Sequence, residues 1–214
     1  MFKWTFRVIR TLQMKTKTKE LILLLLDFLM TRSQFESVRL ELLSISVVYY
    51  LMQIEGDMPD SILEFNLFVE KKLQIAKADI FNIEMKILVE LPTGFFTMFT
   101  FSDIISMIVS DDQLSWSNSK KIGQRAIRLA LNYYILLSSG FTIQDLSLAA
   151  VSVTLGDLDV ENSKEMIQKL FELNIFTTLG ANAIEVRRLI EALENSPRGG
   201  LGFSHTEPDF SDDD

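Results

Sequence analysis

The sequence predicts an all-α fold, and three observations carry that expectation. From Leu40 to Ile54 only Glu41 is charged, and the apolar or small residues Leu40, Leu43, Ser44, Val47, Leu51 and Ile54 recur at helical spacing. Stripes of the same period return later, as Ile80, Ile83, Ile87 and Leu91 and as Ile127, Leu131, Tyr134 and Leu137. Residues that stop helices separate these segments, with Gly56, Asp57 and Pro59 after the first and Pro92 and Gly94 after the second.

Residues 40–54 leave little polar face, because Val48, Tyr49 and Tyr50 fill the gaps between the stripe positions. Such a segment is shorter than the ~20 residues a bilayer span needs. It belongs at the centre of a helical bundle. A chain of 214 residues with 48% hydrophobic content can bury a core of that kind. The absence of cysteine excludes disulfides, thiolate metal sites and a cysteine nucleophile. The single histidine, His205, lies in a polar tail, which argues against histidine acid–base chemistry and the usual zinc sites. A net charge of −8 argues against a general nucleic-acid binder, whose phosphate contacts need a basic face.

Residues 1–19 carry Lys3, Arg7, Arg10, Lys15, Lys17 and Lys19 and no acid. A targeting or membrane-surface segment would combine such bases with aromatic residues, but Asp27 interrupts the following aliphatic run and no small-residue cleavage site follows. An amphipathic first helix that buries Trp4, Val8 and Leu12 is the preferred expectation. A second helix is expected over 18–31, where Asp27 stands among Leu26, Phe28, Leu29 and Met30. A carboxylate there either points to water or takes a hydrogen-bonded partner, since unpaired burial costs several kcal/mol. Ser33 is a candidate cap for the central helix.

A fourth helix is expected over 60–73 with Ile62, Phe65, Leu67 and Val69 as its apolar residues, and a fifth over 76–91. Glu84 lies four after Ile80 and three before Ile87, which puts an acid within the apolar stripe. The plain structural expectation is an edge position whose carboxylate reaches water or a lysine.

Trp4, Asp27, Arg39-Leu40, Glu55, Pro59, Phe65 and Glu84, laid along five helices around an apolar one, resemble the cyclin box. Trp4 falls on the tryptophan of the first helix's signature and Asp27 on the aspartate of the second helix. Arg39-Leu40 falls on the Lys-Leu that opens the third, Gln53-Ile54-Glu55 on its terminal Lys-Phe-Glu, and Pro59 on the proline beyond. Glu84 falls on the glutamate of the fifth helix's Met-Glu signature once a short insertion is allowed near Lys71. The resemblance implies a cyclin-dependent kinase as partner, with Gln53 and Glu84 as the polar centre of a kinase-binding surface and Leu88 and Phe95 among its apolar surroundings.

Two departures qualify it. Gln53 replaces the family's lysine, keeping a hydrogen-bond donor without the charge. The hydrophobic-patch motif that precedes the tryptophan is mostly absent and Glu41 replaces a glutamine of that patch, so substrate docking of that kind is expected to be lost. The arginine that pairs with the family's aspartate is missing as well, which leaves Lys3 or Arg7 as candidate partners for Asp27.

The second half resembles a second, abbreviated cyclin repeat. Helices are expected over 102–109 and 120–138, the latter closed by Gly140, with a polar loop between them. Thr142 and Asp145 resemble a capping box before the small residues Ser147, Ala149, Ala150 and Ser152. Only GDLDV stands where the family has a further helix, and helices from 162 or 163 to 173 and over 184–194 follow. The expected division is 1–95, 96–194 and an acidic tail, 195–214.

The tail carries Glu207, Asp209 and Asp212 to Asp214. It is either a solvated end or, because Phe203 and Phe210 stand among acids, a segment that contacts transcription proteins. Ser196, before Pro197, and Ser211, before three aspartates, are candidate phosphorylation sites. There is no Gly-rich phosphate loop, no metal-spaced ligand cluster and no nucleophile–base pairing, so neither an enzyme nor a cofactor, metal or small-molecule substrate is expected. The expectation is a cyclin-like regulatory subunit, nuclear and also cytoplasmic in scope, similar in plan to virus-encoded cyclins. A cyclin-fold adaptor for transcription proteins, without kinase activation, is the alternative.

Overall fold

A computed structural model describes residues 2–60, 62–97, 99–110, 119–136, 141–158, 163–172 and 180–195, and among these described residues apolar spacing and helix-stopping residues set the boundaries of ten α-helices. They are α1 (Phe2–Thr11), α2 (Thr16–Met30), α3 (Leu40–Glu55), α4 (Ile62–Lys71) and α5 (Lys77–Glu90) in the first half. The second half holds α6 (Phe101–Val109), α7 (Ser119–Leu136), α8 (Ile143–Asp157), α9 (Ser163–Glu172) and α10 (Ala183–Asn195). Short 3-10 turns form at Ser33–Phe35 and Phe95–Thr97, and no strand occurs among the described residues. The fold is all-α.

α3 is the hub of the first half. Leu43 to Val48 and Tyr50 to Met52 are buried, and the helix packs most extensively on α5 and α2, with α1 on a further side. α4 leans on it through the rings of Tyr49 and Phe65, whose centroids are 5.4 Å apart. Gly56 ends α3 with φ 62°, a left-handed conformation that costs other residues a clash with their own Cβ. Burial does not run the whole length expected of this helix, since Leu40 and Ile54 at its ends are exposed. The residue before α3 is Arg39, with no side-chain cap, so Ser33 starts only a 3-10 turn. Arg39 instead donates from Nη2 to the Leu73 carbonyl at 3.0 Å, which ties the start of α3 to the end of α4.

α8 plays the same part in the second half, buried continuously from Asp145 to Leu155 and packed against α10, α7, α6 and α9. α10 packs on α8 about as extensively as α7 does, so that among the described residues four helices surround α8.

Thr142 and Asp145 form the expected capping box at the start of α8, Thr142 Oγ1 accepting from the Asp145 amide at 3.1 Å. Asp145 also accepts from the Asn182 amide at 2.7 Å, which fixes the chain just before α10. Replacing Thr142 by alanine is expected to lower stability by about 1 kcal/mol. In a chain of this size the thermal midpoint, followed by circular dichroism, should fall by about 2–4 °C.

α2 joins the two halves. Buried Glu20 accepts from the Ser102 amide at 3.0 Å and from the Ser102 hydroxyl, both at the first turn of α6. Two turns further on, Asp27 Oδ2 accepts from the Tyr134 hydroxyl of α7 at 2.8 Å. Asp27 is exposed and its partner is a tyrosine of the second half. The side chains of Lys3 and Arg7, the partners expected for it, lie outside the described residues. So do Gly140, the loop 111–118 and the tail from 196 on, including Ser196, Phe203, His205, Phe210 and Ser211.

Candidate interaction surface

α5 is apolar on two faces. Its inner stripe, Ile80, Ile83 and Ile87, is buried against α3, while Phe81, Met85, Leu88 and Val89 recur at helical spacing on the outside and are exposed. Single exposed apolar residues need no explanation, but a contiguous row of four along one helix marks a surface suited to a partner.

At the edge of that row the two helices exchange a polar contact. Gln53, exposed near the end of α3, donates from Nε2 to Glu84 Oε1 of α5 at 3.3 Å. The Glu84 carboxylate is half-buried. Burial pushes its pKa above the ordinary carboxylate value and the Gln53 hydrogen bond opposes the rise only in part. Glu84 thus sits at an edge position as expected, yet the group it reaches is a neutral amide instead of a lysine. Its charge is felt by both tyrosines of α3. Burial first and the Glu84 charge second push the Tyr49 hydroxyl up to about 12, and the same two causes raise Tyr50.

On the other side of Glu84 a cleft of about 270 Å³ opens between α3, α4 and α5. Val69, Ile75 and Ile80 supply its apolar lining, and Tyr49, Asn66, Glu70, Lys77 and Glu84 its polar groups. The Tyr49 hydroxyl donates to Asn66 Oδ1 in a short contact, which holds the phenol ring as a wall between α3 and α4.

Of the four residues expected to form a binding surface, the structure brings Gln53 and Glu84 into contact and leaves Leu88 exposed one turn beyond Glu84. Phe95 does not join them. It is 3% exposed and packs edge-on against Phe96, because the 3-10 turn after Pro92 folds its ring back into the core. Tyr49, Asn66, Glu70 and Lys77 were not anticipated. None left a distinguishing sequence signal: Tyr49 stands beside a second tyrosine, Tyr50, and the other three are polar residues of ordinary helix surfaces.

Among the described residues no group of three or more His, Asp or Glu side chains is placed to hold a metal ion, and no helix is long and apolar enough to cross a membrane. Compared with family models, curated proteins and solved structures, the chain matches none of them. This surface sets two amides, two carboxylates, one ammonium group and a phenol beside exposed apolar side chains.

Proposed function

We propose that the chain is a non-catalytic, cyclin-like regulatory subunit that binds a cyclin-dependent kinase through the face shared by α3 and α5. Binding would shift the kinase toward its active arrangement by favouring that state over the inactive one. The observation that carries this proposal is the Gln53–Glu84 contact. Two residues 31 apart in the sequence, singled out by the resemblance, meet on the surface beside exposed Met85 and Leu88. The plan of five helices around a buried third helix, present in each half, supports the same reading. Such a subunit would act in the nucleus, in cell-cycle or transcriptional control.

The test is a pull-down from nuclear extract with wild-type protein and with Glu84→Lys, probed for cyclin-dependent kinases and assayed for bound kinase activity. The substitution puts an ammonium where the surface offers a carboxylate, and reversed charge at the centre of a contact is expected to cut kinase capture by at least tenfold. Circular dichroism of the variant should be unchanged, because Glu84 is only half-buried. No kinase captured by the wild type, or equal capture by the variant, would overturn the proposal in favour of the adaptor for transcription proteins.

A further inference from the structure

Glu84 is a partly desolvated carboxylate whose hydrogen-bond partner is a neutral amide, held at the long end of hydrogen-bond distance. Among the described residues no lysine or arginine lies within ion-pair reach of it. Removing a carboxylate from water is costly unless a cation or several donors replace the lost hydration. Gln53 supplies one donor, so Glu84 itself is left without a cation to offset its lost hydration.

The adjoining cleft has the shape and composition that a long basic side chain needs. Such a side chain lays its methylene stem on apolar surface and keeps its charged head at a polar rim. Val69, Ile75 and Ile80 offer the apolar surface, and Glu70 and Glu84 offer carboxylates at the rim against the single ammonium of Lys77. The rim is therefore net negative. The Tyr49 ring, fixed by its bond to Asn66, stands within the cleft wall, where a guanidinium or ammonium group gains from the face of an aromatic ring.

We propose that the cleft between α3, α4 and α5 is a binding site for one arginine or lysine side chain of a protein partner, with Glu84 as its principal anion. It deepens the proposed function, since it makes the partner's contact residue basic at the point where Gln53 leaves Glu84 without a cation. The planar, weakly hydrated guanidinium suits the site better than an ammonium, because it can engage a carboxylate and an aromatic face together. Glu70, exposed at the end of α4, would add attraction without being desolvated.

The test uses two small probes of nearly equal shape, blocked arginine (N-acetyl-arginine-methylamide) and blocked citrulline, titrated into the ¹⁵N-labelled full chain. Blocked arginine is expected to give saturable amide shifts at Tyr49, Asn66, Ile80 and Glu84, and citrulline none at the same concentrations. Glu84→Gln should weaken the arginine response by about tenfold, the loss of a charge-assisted contact, and Glu70→Gln by less. The spectrum of each variant reports at once whether it is folded. Equal shifts from citrulline, shifts unmoved by Glu84→Gln, or no saturable shift in the wild type would overturn the site. None of those results touches kinase capture, which the pull-down reads separately, so the two proposals fail independently.

Discussion

Replacing Phe101 by alanine is expected to destabilise the protein by about 3–5 kcal/mol, the range for a fully buried phenylalanine. Phe101 opens α6, is 0% exposed and packs edge-on against Tyr134 with ring centroids 5.4 Å apart. Tyr134 in turn donates to Asp27 of α2, and the next residue after Phe101, Ser102, donates to Glu20 of the same helix. The cavity left by the ring would therefore open where α2, α6 and α7 meet, and these polar contacts would lose the packing that aligns them. Thermal unfolding should show a midpoint lower by roughly 10 °C for a chain of this length. Phe81→Ala is the comparison, since that ring is 60% exposed on α5 and its loss should change stability by about 0.5 kcal/mol or less. Similar midpoints for the two variants would mean that the junction between the halves contributes little.

Elements whose cause is local were legible in the sequence. α3 was found from an apolar run closed by Gly56, and the start of α8 from Thr142 and Asp145, because period and cap chemistry act over a few residues. Thr100 and Asp103 form an equivalent capping box at α6, with the same three-residue spacing in the sequence. Contacts made across the fold could not be read at all. Glu20 and Ser102 are 82 residues apart and Asp27 and Tyr134 are 107 apart, so no period or motif links either pair.

Surface and core were harder to separate than helix and loop. Leu88 lies off the inner stripe of α5 and is exposed, as a surface residue should be. Phe95 follows Pro92 and Gly94, a pattern that announces a loop without saying which way its side chains turn. The turn folds inward, and burying an aromatic ring yields about 1.5–3 kcal/mol, enough to decide the direction. The Gln53–Glu84 pair was anticipated from the resemblance alone; helical spacing placed Glu84 on the inner stripe and gave no sign of Gln53 beside it.

Glu20 gives the second large effect, and its pH dependence has a definite sign. Glu20→Ala removes the acceptor of two hydrogen bonds and leaves the Ser102 amide and hydroxyl without a partner at a buried helix start, so a loss of about 2–3 kcal/mol is expected. Glu20→Gln keeps an acceptor oxygen and should cost less. Burial is the largest influence on the Glu20 carboxyl and raises its pKa, the charge of Asp103 adds to the rise, and the hydrogen bonds from Ser102 and Thr100 oppose it. A carboxyl raised in the folded state binds its proton more tightly there than in the unfolded chain. Its contribution to stability is therefore fully present below the unfolded value, near 4.5, and declines as pH rises through the higher folded value. Urea unfolding of wild type and Glu20→Gln at a series of pH values from about 4 to 7 isolates this group, because every other carboxylate is common to both. The wild type should lose stability relative to the glutamine variant as pH rises across that interval. A difference that stays flat, or grows with pH, would mean that the Ser102 donors outweigh burial and that the ionised carboxylate is the form that clamps α2 to α6.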